Sequence, residues 1–447
     1  MGVVKYAKQQ FIEKVLTNLD KISDDNIIRL AKMVEAFAND LDKPKIKHVI
    51  ELIEQRHPAY SFIKKIVNDY DKKCLKTFVK NVIINGLLIN SELREDEIKK
   101  GNAAPFTVLI SPTMRCNLNC VGCYANKYSK TDDMTKELFE RLVEEAKAMH
   151  VVYITLLGGE PFLRKDLFEV YKKHSDIHFS IYTNATLFDE KTCMELKELG
   201  NVVPIVSIEG FEEDTDGRRG KGVHQKVLNA MKLLKKHKVM FGFSICVTRK
   251  NQEKVYSDEF IDMMIDSGAL IGWYFLFMPV CGSPDMSLMP TPDQRVNMLE
   301  RLKDIRDNKA LFLVDFWNDA PYVGGCIAAR YYVHVTSNGD VEPCIFTHFS
   351  DSNVKDKPLK ECLNSPYLKA LRKRQPYNPN LYLPCQWIDN PEVSRELFEE
   401  FNLKPTHPGA DDVLLKPKLK KEIDEYSEEI KKKYKDIWEK SEFVKAK

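Results

Sequence analysis

Residues 106–126 read FTVLISPTMRCNLNCVGCYAN. The opening run, 106-FTVLISPT, is short, apolar and β-branched, which suits a parallel strand buried on both faces. It passes into a loop carrying Cys116, Cys120 and Cys123. Similar runs follow at 151-VVYITLL, 177-IHFSIYT, 202-VVPIVSI, 239-VMFGFSICV and 269-ALIGWYFLF. Helix-like segments near 135–149, 166–174, 189–199, 223–237 and 254–266 separate them, with another after 292. This alternation predicts repeated βαβ units. Six units make an α/β fold, a partial (β/α)6 TIM-type barrel. In such a barrel the active site lies at the C-terminal ends of the strands, where the cysteine loop falls.

The flanking regions differ. Residues 1–100 space apolar side chains three and four apart, as in Phe11, Val15, Leu16 and Leu19, then Ile28, Leu30, Met33, Val34 and Phe37, which predicts a helical N-terminal domain. The barrel is assigned to 101–308. Residues 309–412 form a small α+β domain, with a hairpin predicted in 333-VHVTSNGDVEPC by the Asn338-Gly339 turn. Residues 413–447 are highly charged, with one apolar stripe at Leu419, Ile423, Tyr426, Ile430, Tyr434 and Ile437. This helix packs on the body, or else on a partner or membrane surface.

The net charge of +2 over 447 residues is too small to point to nucleic acid as a partner. No apolar run is long enough to cross a bilayer, and 1-MGVVKYAKQQF lacks the apolar core of a signal peptide, so a cytoplasmic location is expected. Eleven cysteines, an odd count, argue against a disulfide framework there and for metal or redox chemistry. Cys74, Cys193, Cys246 and Cys362 stand singly in helix-like or strand-like runs and read as small buried hydrophobes.

Three thiols on one short loop can converge on a metal centre. Iron–sulfur clusters take cysteine thiolates, whereas structural zinc usually takes four protein ligands, and this loop has three. A second motif, 158-GGEP, follows the second strand, where two glycines allow close backbone approach.

Together these motifs resemble the signature of the radical S-adenosylmethionine (SAM) superfamily, a likeness that covers residues 105 to about 280. The resemblance implies a 4Fe–4S cluster on Cys116, Cys120 and Cys123, with one iron left open to chelate SAM. It places Gly158, Gly159 and Glu160 along the methionine part of SAM, with Glu160 orienting the amino group. At the third strand end, 180-SIYTNAT makes Asn184 a SAM contact. At the fourth, 204-PIVSIEG offers Ser207 and Glu209 to the ribose. In 217-GRRGKGVHQKVLNAM, Arg219 pairs with the SAM carboxylate, unless it and Arg218 lie in a solvated loop. The family often has an aromatic residue just before the third cysteine. Here Gly122 stands there and Tyr124 follows, which leaves open which side chain covers the adenine. The implied reaction is reductive cleavage of SAM to a 5′-deoxyadenosyl radical, which abstracts a hydrogen atom from a substrate C–H bond.

Beyond the barrel, Cys326, Cys344 and Cys385 resemble the ligands of a SPASM or twitch extension, which holds an auxiliary iron–sulfur cluster. The chain departs from the full pattern, because no CxxC closes the segment. The fourth ligand is Cys281, a substrate atom or nothing; structural zinc and free thiols are the alternatives. Cys281, after the sixth strand, is equally a candidate catalytic hydrogen or proton donor. Trp273 and Tyr274 read as core. Relatives with such extensions often modify peptides or proteins, which ranks that substrate class first. A lipid, sugar or cofactor precursor ranks close behind, favoured by a helical head without a hairpin. A flavodoxin or ferredoxin is the expected electron donor. The alternative of another class is a non-catalytic iron–sulfur or zinc scaffold, against which GGEP and the Ser207–Glu209 strand end speak.

Overall fold

A computed structural model describes residues 28–29, 31–32, 35–36, 43–280 and 285–445. Its centre is a nine-stranded sheet, and each of the six sequence runs supplies one strand. They are β1 (Thr107–Ile110), β2 (Tyr153–Leu156), β3 (His178–Thr183), β4 (Val202–Ser207), β5 (Gly242–Val247) and β6 (Ile271–Leu276). Each pairs in parallel with the next, β1 beginning at Thr107↔Tyr153 and β3 meeting β4 at Phe179↔Val202. Helices with one buried face cover the outer side, as a partial barrel requires. Local chemistry sets their ends. Thr135, Asp189 and Ser257 cap helices Lys136–Ala148, Glu190–Leu199 and Asp258–Ser267 by accepting backbone N–H groups, and Gly200 and Gly268 end the last two in the left-handed conformation.

The sheet does not stop at residue 308. β7 (Phe312–Asp315) adds a seventh parallel strand beside β6, with Ile271 opposite Phe312. On the other edge, the predicted hairpin is β8 (Tyr332–Val335) and β9 (Val341–Glu342). β8 lies parallel to β1, with Thr107 opposite Tyr332, so the hairpin extends the barrel sheet instead of forming a sheet of its own.

Among the described N-terminal residues all elements are helical: Lys43–Glu54, Pro58–Asp69, Lys72–Phe78, a π-helix over Val79–Ile89 and Asn90–Lys99. Phe11, Val15, Leu16, Leu19, Leu30, Met33, Val34 and Phe37 lie outside the described residues. This head sits against the N-terminal ends of the strands. It satisfies loop carbonyls there: Asn81 donates to the Ser175 carbonyl (2.9 Å), Asn90 to that of His150 (2.9 Å), and Tyr70 to that of Gly268.

The charged tail forms helix Pro417–Glu439, with Leu419, Ile423, Tyr426, Ile430 and Tyr434 buried. It packs on the body and not on an outside surface. Each such side chain contributes about 1.5–3 kcal/mol on burial. Tyr434 donates to the Arg295 carbonyl (2.9 Å), and Ser427 to that of Asp389 (2.8 Å). Arg295 and Asp389 form a fully buried ion pair at 2.6 Å.

Candidate active site

The three loop thiols open onto one common space. Cys116, Cys120 and Cys123 all line a cavity of about 790 Å3 inside the barrel. The loop is held by the GGEP segment beneath it. Gly159 donates its N–H to the Thr113 carbonyl (2.9 Å), and Glu160 to that of Arg115 (2.8 Å). A Cβ on Gly159 would stand 2.0 Å from the Arg115 carbonyl oxygen, and one on Gly158 2.5 Å from that of Thr113. These glycines therefore let two backbones touch. Gly158 also donates to the Tyr124 hydroxyl (3.2 Å), tying the residue after the third cysteine to the same segment.

Gly122 has a separate reason. It lies at φ +65°, and a Cβ there would come within 2.4 Å of the Phe277 ring. Phe277, just past β6, fills the space beside the loop and lines the cavity. The aromatic ring that the loop lacks is thus supplied from another part of the chain, and nothing near Gly122 in the sequence shows it.

Glu160 is buried and its carboxylate accepts three hydrogen bonds from the chain. It accepts from Thr183 (2.7 Å), the Asn184 N–H (2.8 Å) and the Phe162 N–H (3.0 Å). It is not among the cavity-lining residues, and its structural work is to brace the end of β3. Asn184 does line the cavity, with its amide N–H directed at the Cys116 sulfur (3.7 Å) and the Asn117 side-chain oxygen Oδ1 (2.9 Å). Ser207 also lines it and shares a hydrogen bond with Ser244 (3.2 Å) on the next strand.

Glu209 lies under both arginines. Its Oε1 takes Arg218 at 2.5 Å and Arg219 at 2.5 Å, while Oε2 accepts the Cys246 N–H (3.1 Å). Arg218 and Arg219 are therefore cavity walls and not parts of a solvated loop: a carboxylate with 1% exposure needs them. Arg218 Nε is buried without a partner, a donor available to a ligand. Cys246 corrects a second reading. It is half-buried and lines the cavity, whereas Cys74, Cys193 and Cys362 are buried as expected. The signal was its place at a strand's C-terminal end, two residues from the inward Ser244. Burial pushes the Cys246 thiol up to about 11 despite the adjacent Arg218.

A second cavity, of about 230 Å3, brings together Cys326, Cys344 and Cys385. Trp273, Phe316, Phe346 and Tyr332 line both cavities and so form the wall between them. Trp273 is thus partition more than core, while Tyr274 is buried core. The two sites share one local geometry. The N–H two residues on points at the sulfur in Cys116 (Leu118, 3.4 Å), Cys344 (Phe346, 3.5 Å) and Cys385 (Trp387, 3.4 Å). Tyr332 adds its hydroxyl to the Cys344 sulfur (3.1 Å). Backbone donors aimed at sulfur stabilise thiolates and tune clusters. Both donor sets, three soft sulfurs each, fit iron–sulfur clusters better than zinc. Cys281 lies outside the described residues.

Residues 110–257 match the radical SAM superfamily, and residues 326–386 match the iron–sulfur cluster-binding SPASM domain. The chain belongs to the radical SAM superfamily. An uncharacterized protein of Methanocaldococcus jannaschii is 31% identical over 44% of this chain and 70% of its own length. The Fe-coproporphyrin III synthase of Methanosarcina barkeri is 24% identical over 63% of this chain and 81% of its own. The crystal structure of Streptococcus suis SuiB bound to precursor peptide SuiA has the same fold, with a TM-score of 0.53 and 18% identity over 69% of this chain and 82% of SuiB. As a radical SAM enzyme with a SPASM domain, the protein uses a 4Fe–4S cluster, SAM and an auxiliary iron–sulfur cluster. Among the described residues no helix is long and apolar enough to cross a membrane.

Proposed function

We propose that this enzyme cleaves SAM reductively and removes a hydrogen atom from a C–H bond of a substrate held in the barrel. The supporting observation is the convergence of Cys116, Cys120 and Cys123 on one cavity with Asn184, Ser207 and Arg219. In this reading those cysteines hold the SAM-binding cluster, and Cys326, Cys344 and Cys385 hold the auxiliary one. When bound, cluster and SAM together supply a 5′-deoxyadenosyl radical. The chain's own groups position and shield. Asn184 donates to the Cys116 sulfur and leaves the loop mouth clear. Arg218 and Arg219, fixed by Glu209, present the remaining guanidinium N–H groups to the SAM carboxylate. Ser207 and Ser244 offer hydroxyls to the ribose from adjacent strand ends. Gly158 and Gly159 keep the floor low enough for the methionine part, and Phe277 bounds the loop where an aromatic ring was expected. The mostly apolar lining excludes water from the reacting centre.

The likeness to SuiB with its precursor peptide supports a peptide substrate, and the name of the Methanosarcina relative supports a different one. A flavodoxin or ferredoxin remains the proposed electron donor.

The test is anoxic. Reconstituted protein, reduced with dithionite, should release 5′-deoxyadenosine and methionine from SAM, read by mass spectrometry. Cys120→Ala should lose more than ~100-fold of that rate, since even outer-shell changes at metal sites cost 10–100-fold. A Cys120→Ala protein with full SAM cleavage would sink the reading.

A further inference from the structure

SAM chemistry accounts for the upper end of the large cavity and leaves its lower half without a task. The cavity continues past Thr155, Ser180 and Ser244 to Tyr153, His178 and Ile271, near the N-terminal ends of the strands. In closed barrels such inward positions are filled by bulky branched side chains. Here the waist carries small hydroxyl residues, and the interior stays open.

The lower half is apolar and uncharged. Among the described residues, apart from the thiols, the only ionisable cavity side chains with a fixed charge are Arg218 and Arg219, both at the upper end. Burial drives His178 down to about 3 and keeps it neutral. The hydroxyls of Thr107 and Thr155 pair with each other (3.2 Å). An extended peptide here would find only scattered hydroxyls and His178 and leave most of its backbone amides without partners, at a cost of about 1–3 kcal/mol each. A hydrocarbon chain has no such groups.

The lower end also has an apolar rim. Leu87, in the π-helix, and Phe312, at the start of β7, are 42% and 53% exposed and line this same cavity. π-helical geometry is rare and collects at functional sites. Large apolar side chains left in water around a cavity mark a ligand surface.

We propose that the lower half of the barrel is a channel for an extended hydrocarbon chain, acyl or isoprenoid, reached from beneath the helical head. This deepens the SAM-cleavage reading, on which it rests for the chemistry at the upper end, by naming the substrate class.

The experiment uses the full-length, cluster-loaded protein and cis-parinaric acid, a fatty acid that fluoresces in apolar surroundings. Saturable enhancement at one site per chain is expected. Displacement by hexadecanoate or by geranylgeraniol distinguishes an unbranched from an isoprenoid chain. Thr155→Phe, which blocks the waist, should weaken binding at least ~10-fold. Leu87→Arg, at an exposed position where folding is not at stake, should weaken it ~3-fold or more. A loss in either variant places the probe in the channel. A loaded protein that cleaves SAM but leaves the probe dark overturns the channel alone, as does an enhancement that both variants leave unchanged. A protein that takes up the probe and releases no 5′-deoxyadenosine supports the channel and overturns the SAM-cleavage reading instead.

Discussion

The two cysteine sites are built in opposite ways. Cys116, Cys120 and Cys123 lie on one short loop after β1, so their proximity is local and costs little chain entropy to establish. Cys326, Cys344 and Cys385 come from three separated segments: the approach to β8, the exit from β9, and a turn far downstream. That turn is held from a distance, because the Cys385 N–H donates to Asp389 (3.0 Å), and Asp389 is the buried partner of Arg295. The first site needs only its loop and the GGEP segment beneath it to be in place. The second exists only once the C-terminal half of the chain has folded around it.

This contrast can be tested by paired substitution. Iron content should be about eight per chain with two 4Fe–4S clusters and about four after loss of either. Cys120→Ser should abolish SAM cleavage with little change in melting temperature. Cys344→Ser should lower the melting temperature by more than Cys120→Ser does, because a centre that joins distant segments makes its binding free energy part of folding. Equal shifts in thermal unfolding would break the comparison.

The next largest effect is expected at Glu209→Ala. It strands two largely buried guanidinium groups, and loss of one partner of a buried charge cluster costs about 3–5 kcal/mol. Denaturant unfolding measures this, and weaker SAM binding should accompany it. Gly159→Ala follows: a Cβ 2.0 Å from a carbonyl must push the cysteine loop away. Overpacking of this kind costs about 1–3 kcal/mol, and the KM for SAM should rise. The smallest effect belongs to Asn184→Ala, which removes one N–H from the Cys116 sulfur. It should shift the reduction potential of the cluster, seen by redox titration, while iron content holds.

The legibility of the sequence follows the same division. Strands β1 to β6 announced themselves as apolar runs spaced by helical patterns, and the cysteine loop and GGEP are both continuous in sequence. β7 escaped because 312-FLVD directly follows a long charged helix and lies past the last predicted βα unit. Arg218 stayed undecided between a site role and a solvated loop because its counter-charge, Glu209, sits across a strand end and not on its own helix face. Gly122 was opaque because Phe277 lies more than 150 residues away. Cys246 was legible in principle: it falls two residues beyond inward Ser244, so the two-residue period of a strand places it inside the barrel. The three auxiliary cysteines were grouped only through the resemblance to a SPASM or twitch extension, and folding shows that they share a cavity. The open waist could not be read, since whether Thr155 and Ser180 leave a void depends on what faces them across the barrel.

The β1–β8 pairing has one further consequence. Because the hairpin is stitched to the same strand that launches the cysteine loop, Cys344 and the first thiol cluster hang from a single ladder, as fittings on one rail, while Cys385 is carried in by the downstream turn. The line from one site to the other runs through the aromatic partition that both cavities share, so whatever joins them must reckon with those rings.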